Sequence, residues 1–203
     1  MKLEVKMSIV LVATSLAAAA LLGVVFSFTA PTIAGQKEAA RQDALKSIMP
    51  AAKEFKPDTV ILDADTSVIY IAYDKSGQRM GLVFTAAQRG YGGPVETMVG
   101  VNKDSSIAAI RIASASEGLK ETPGLGTRVL EDWFINQFKG LKRDDVFLTK
   151  DGGKVQGITA ATISSNAATS GVRLGLEKYL PYLFENPDAV EDTLSTAADT
   201  SDS

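Results

Sequence analysis

The chain has 203 residues, a formal net charge of −3, and neither cysteine nor histidine. That length suits one ordinary domain plus an anchor or tail, and buries a core without covalent staples. The two missing residue types exclude disulfides, a thiolate nucleophile, cysteine-held zinc or iron–sulfur clusters, Ser-His-Asp or Cys-His machinery, and histidine-ligated haem. Chemistry on this chain must use carboxylates, lysines, hydroxyls or a borrowed cofactor.

No charge lies between Lys6 and Lys37, and residues 8–30 are dominated by Ile, Val, Leu, Ala and Phe. About 20 apolar residues at 1.5 Å rise cross a hydrocarbon core of roughly 30 Å, so this stretch is expected to form one transmembrane helix that Pro31 ends. A cleaved signal peptide is the rival expectation, but the run exceeds the usual apolar region of about 7–15 residues and lacks a clean A-x-A site. Lys2 and Lys6 precede the span while Lys37, Arg41 and Lys46 follow it, so charge bias does not orient it. A short leading tail before a long domain favours the domain on the extracytoplasmic side of the cell (inner) membrane.

Residues 36–48 lack Gly and Pro and carry Ala39, Ala40, Ala44, Leu45 and Ile48 at helical spacing, predicting a stalk helix stopped by Pro50. Strands follow at 59–62, 67–73 and 81–86, with turns at 63–65 and 74–77. A hairpin is predicted from 94–101 and 106–113 about Asn102-Lys103-Asp104. A helix over 128–138 buries Val129, Trp133, Ile135 and Phe138 and stops at Gly140. Residues 146–149 read as a short strand. In the last helix, 164–179, Ala168, Val172, Leu176 and Tyr179 share a face, and Pro181 ends or kinks it. Hairpins with segregated helices argue for an α+β fold. Over residues 35–184, 19 Lys+Arg meet 17 Asp+Glu, which is no footprint for nucleic acid. Residues 185–203 hold six acids and no base, the composition of a disordered, solvated tail.

Three segments ask for a ligand. Gly90-Tyr91-Gly92-Gly93-Pro94 is either a glycine-rich turn or a backbone built for close approach. Glu121-Thr122-Pro123-Gly124-Leu125-Gly126 stands just before a predicted helix; it has neither the Gly-Lys-Ser/Thr of a Walker loop nor Rossmann spacing. Residues 157–166 set Thr159, Thr162, Ser164, Ser165 and Asn166 among small residues ahead of the last helix. Those hydroxyls either cap the helix or border an anion held at its N-terminus.

In this order and spacing the segments resemble the FMN-binding domain of the G subunit of the Rnf complex and of its relative, the C subunit of the Na+-translocating NADH:quinone reductase. Thr29-Ala30-Pro31 at the end of the anchor, the segment Ala44 to Pro50, Met98-Val99-Gly100-Val101 and Asp132-Trp133-Phe134 extend the resemblance along most of the chain. It implies a tail and anchor at 1–34, a stalk at 35–50, an FMN-binding domain with a largely antiparallel sheet and flanking helices at 51–184, and the acidic tail at 185–203.

In that family a flavin transferase joins FMN through its phosphate to the last Thr of Asp-x-x-(Ser/Thr)-Gly-Ala-Thr. By position the acceptor is Thr162, with Thr159 as the preceding hydroxyl; Gln156 stands at the Asp position and Ala160 at the Gly position. Cofactor-binding positions are implied at Tyr91, Glu121, Thr122, Gly124, Leu125, Gly126, Thr159, Ala161, Thr162, Ile163 and Ser164. Many relatives have a His just before the Glu-Thr-Pro-Gly-Leu-Gly string; residues 116–120 hold none here, so no such role transfers.

The implied function is electron transfer through one covalent FMN, as a non-autonomous subunit of a ferredoxin:NAD oxidoreductase that moves ions. No catalytic side chain and no metal are expected. The implied partners are the bilayer, the other membrane subunits of the complex and the flavin transferase. Open alternatives are a reversible FMN-binding or structural subunit, the C subunit of the quinone reductase, and an anchored adaptor without redox work.

Overall fold

The computed structural model describes residues 3–62 and 65–184. The acidic tail and part of the 63–65 turn lie outside these residues. The chain separates into two compact units, one within residues 1–44 and one within 45–203.

Most of helix α1 (Leu3–Ile48) makes up the first unit. Its most apolar 18-residue window has a mean hydropathy of 2.6 and none of it is buried, which makes it a candidate membrane span by length and composition. Hydroxyls along the helix turn inward: Thr14 donates to the Val10 carbonyl at 3.0 Å, Ser27 to Gly23 at 2.9 Å and Thr29 to Val25 at 2.9 Å. That removes donors that lipid could not satisfy. Pro31 lies inside α1 rather than at its end, so the expected break between anchor and stalk does not occur. Proline removes one N–H, the one that would have met the carbonyl four residues back. The bonds on either side carry the helix through.

The second unit is built on a five-stranded antiparallel meander. Its strands β1 (Glu54–Leu62), β2 (Asp65–Tyr73), β3 (Arg79–Arg89), β4 (Pro94–Asn102) and β5 (Ile107–Ile112) lie side by side in chain order. The first four predicted strands fall within these bounds, the fifth (106–113) overruns β5 by one residue at each end, and β1 begins five residues earlier than expected. Pro57 sits within it opposite Tyr70, which an edge strand tolerates because one side of its backbone needs no donor. Asp74 closes the β2–β3 turn by accepting the Ser76 and Gln78 N–H groups at 2.7 and 2.9 Å.

Alternation along the strands gives the sheet two apolar faces. Ile69, Ile71, Leu82, Phe84, Val95, Val99 and Val101 share a core with helix α3 (Thr162–Phe184), where the Phe84 and Tyr179 rings lie 4.9 Å apart. Ala72 and Val83 face the other way and pack with Leu45, Ile48 and Met49.

Three expectations need correction. The helix over 128–138 is divided into a 3-10 turn (Gly126–Leu130), one α-turn, α2 (Asp132–Ile135), and a second 3-10 turn (Asn136–Phe138). Glu131 interrupts it with an extended backbone (φ −69°, ψ 137°), held by side-chain bonds from Arg128 and Trp133. Val129, Phe134 and Phe138 supply the buried face, while Trp133 is 40% exposed. Residues 146–149 form a single parallel bridge, Leu148 with Val155, rather than a strand. Helix α3 starts at Thr162 and runs through Pro181 to Phe184, and the Arg79 guanidinium donates to the Tyr182 carbonyl in its last turn.

Candidate functional site

The β3–β4 loop, the loop ahead of the Gly126–Leu130 turn and the start of α3 converge on one cavity of about 470 Å³. It is lined by Tyr91, Glu121, Thr122, Leu125, Gly126 and residues 160–164. Nine of the eleven residues singled out in the sequence are on its wall. Thr159 and Gly124 are not. Gly124 instead shapes the loop: its φ is +75°, and its N–H donates to Thr127 Oγ1 at 3.0 Å. Ala160 lines the cavity without having been singled out, although its place beside Thr159 and Ala161 pointed to it.

The three segments meet on Glu121. This side chain is 5% exposed. Its Oε1 accepts the Gly92 N–H at 3.2 Å and its Oε2 accepts the Ser164 hydroxyl at 2.6 Å. One carboxylate thus links the first segment, its own and the third, and satisfies the polar groups that burial would otherwise penalise. It also explains one glycine of each loop. A Cβ on Gly126 would lie 2.8 Å from Ser164 Oγ and 2.9 Å from Glu121 Cβ, and one on Gly90 would strike Glu121 Oε1. At these two glycines the space a Cβ would fill is taken by protein atoms, and Gly126 also lines the cavity.

At the third segment, Ser165 N–H donates to the Ala161 carbonyl at 3.0 Å. The N–H groups of Thr162, Ile163 and Ser164 therefore precede the first bonded turn of α3, where unpaired donors and the helix dipole favour an anion. The hydroxyls divide their work. Ser165 Oγ accepts the Ile158 N–H and donates to the Ala161 carbonyl, both at 2.9 Å, and ties the segment to the helix. Ser164 holds Glu121. Thr162 is exposed on the cavity wall, and no hydrogen bond among the described residues engages its hydroxyl. Ala160 holds a left-handed backbone, φ 65°, which an L-residue rarely adopts. Upstream, Gln137 clamps the Gln156 backbone, accepting its N–H at 2.7 Å and donating to its carbonyl at 3.3 Å, while Gln156 itself is exposed.

Electrostatically the wall is plain. Glu121 is the one carboxylate among its residues. Tyr91, Leu125 and Ile163 present unusually exposed apolar side chains there, at 72%, 45% and 55%. Further along the β5 edge, Glu117 is held down to about pKa 2 by hydrogen bonds from the Ser114 hydroxyl and N–H, and by Arg111 at 2.7 Å.

An anion seat at a helix start, an apolar-rimmed cavity in the size range of cofactor sites, and an available hydroxyl together suit a phosphorylated aromatic cofactor. Known proteins agree. Residues 90–177 match the FMN-binding domain family and residues 5–48 match the RnfG N-terminal region. The molecule is thus an FMN-binding-domain protein with an apolar N-terminal helix.

Over 177 residues it is 32% identical to the G subunit of the ion-translocating oxidoreductase complex of Methanosarcina acetivorans, covering 85% of this chain and 92% of that one. It is 30% identical over 161 residues to the G subunit of the proton-translocating ferredoxin:NAD(+) oxidoreductase complex of Clostridium ljungdahlii, covering 78% and 82%. The chain belongs to the family of G subunits of ion-translocating oxidoreductase complexes. Its fold is that of the C subunit of the Na(+)-translocating NADH-quinone reductase from Parabacteroides distasonis, with a TM-score of 0.55 at 22% identity over 74% of this chain and 94% of that one.

Proposed function

We propose that this chain carries one FMN, bonded through its phosphate to Thr162, and relays electrons within a membrane-bound, Rnf-type ferredoxin:NAD oxidoreductase complex that translocates ions. The observation that carries this reading is Thr162 itself: an exposed hydroxyl on the cavity wall, at the first residue of α3, within the residues that match the FMN-binding domain family. FMN supplies the redox chemistry when bound. The protein's residues do the rest. The first-turn N–H groups of α3 stabilise a phosphodiester charge, which remains after esterification. Tyr91, Leu125 and Ile163 offer apolar surface to an aromatic ring and limit water around it. Thr162 acts once, during maturation by a flavin transferase.

In this reading residues 1–34 are the tail and anchor, 35–50 the stalk, 51–184 the FMN-binding domain and 185–203 an acidic tail. The domain lies on the extracytoplasmic side of the inner membrane, against other membrane subunits of the complex. Gln156 and Ala160, which depart from the attachment pattern, favour a second reading in which FMN binds reversibly.

Intact mass separates the two. Co-expressed with a flavin transferase, the covalent form gains the mass of FMN less water, fluoresces in a denaturing gel, and loses both signals in Thr162→Ala. A chain that binds FMN with no mass gain supports the reversible reading. A chain indifferent to FMN rejects both.

A further inference from the structure

A clamp between three loops does not require a charge. Glutamine at position 121 would meet Gly92 N–H with its carbonyl and Ser164 Oγ with its amide, and would avoid burying a carboxylate. Yet Glu121 is ionisable and 5% exposed, and its two hydrogen-bond donors, Gly92 N–H and Ser164 Oγ, are both neutral. None of the ion pairs among the described residues includes it. A carboxylate on the wall of an apolar cavity, with no cation paired to it, acts on the contents at an effective dielectric far below that of water.

We infer that Glu121 sets the reduction potential of the flavin held in this cavity, its charge opposing the arrival of electrons on the ring. The inference rests on the flavin-carrier reading. Electrons reach the ring from an external donor, any accompanying proton comes from solvent, and no bond within the protein forms or breaks. Where charge arrives ahead of the proton, the carboxylate repels it and the potential is lowered. Ser164 is a positioning residue: its hydroxyl fixes Oε2 and draws off part of the carboxylate's charge.

The test uses the full chain in detergent, loaded with FMN, in spectroelectrochemical titrations at pH 8. Wild type is compared with Glu121→Gln, Glu121→Asp and Ser164→Ala, and the FMN-free proteins are melted in parallel. Glu121→Gln keeps the shape and removes the charge, so its midpoint potential rises. Glu121→Asp keeps the charge and stays close to wild type. Ser164→Ala leaves the carboxylate less neutralised, so its potential falls. These opposite signs are what a clamp alone cannot produce. Glu121→Gln and Ser164→Ala titrating with wild type, whatever their melting temperatures, would show Glu121 to be only a clamp. Should Glu121→Gln fail to hold FMN, Ser164→Ala decides: a lower potential supports the inference and an unchanged or higher one overturns it. A wild-type chain that holds no FMN overturns this inference and the carrier reading together, whereas a loaded wild type with unresponsive variants overturns the inference alone.

Discussion

Replacing Ala160 by glycine stabilises the domain. Ala160 has φ 65° and is exposed on the cavity wall, so its methyl group contributes little packing to offset its backbone strain. An L-residue in the left-handed region costs about 1–2 kcal/mol. Glycine relieves that cost but returns about 0.4–1 kcal/mol through the greater freedom of the unfolded chain. Taking the middle of each range, the net gain is about 0.8 kcal/mol, or roughly 2–3 °C in melting temperature for a unit of this size. The adjacent Ala161→Gly has the opposite sign. Ala161 is 6% exposed, belongs to the core, and is not among the non-glycine residues with positive φ. It therefore loses packing and gains unfolded-state entropy with nothing in return. The assay is thermal and urea unfolding of the FMN-free full chain in detergent, followed by circular dichroism. A true stability change moves the urea midpoint at constant slope. Equal or lower stability of Ala160→Gly, or a rise in both variants, would refute the reasoning from backbone strain.

Gly126→Ala drives a methyl group against Ser164 and Glu121, and overpacking of this kind costs about 1–3 kcal/mol; a lower melting temperature and weaker FMN retention are expected together. Retention at the wild-type level would show that the loop shifts freely. Glu117 has a folded pKa depressed from 4.5 to about 2, chiefly by the Ser114 hydroxyl, so its stabilising contribution is complete above pH 4.5 and fades as pH falls toward 2. Glu117→Gln therefore lowers stability at pH 7 and flattens the acid limb of the stability curve between those values; an unchanged limb would remove Glu117 from the account of acid lability.

Local patterns in the chain were enough to specify the antiparallel strands, the apolar helix and the three segments that come to line the cavity. These are legible because period-2 alternation, a long uncharged run, and glycine- or hydroxyl-rich strings are local properties of the chain. The lack of Cys and His also means that this chain brings no thiolate or imidazole to the site. The continuity of α1 through Pro31 emerges in the folded molecule, since a proline marks a missing donor without saying whether its neighbours hold the helix. The tertiary structure alone showed that Glu131 breaks the 128–138 helix through side-chain bonds to Arg128 and Trp133.

The larger difference concerns the glycines. Their strings read as room for a ligand, and in the fold Gly90 and Gly126 also leave room for Glu121, which stands 31 and five residues away along the chain. What occupies the space a Cβ would fill is set by distant segments brought together in the fold. Composition and the family resemblance therefore pointed to segments that the fold gathers around one cavity, while the place of Glu121 as their buried link had to wait for the folded chain.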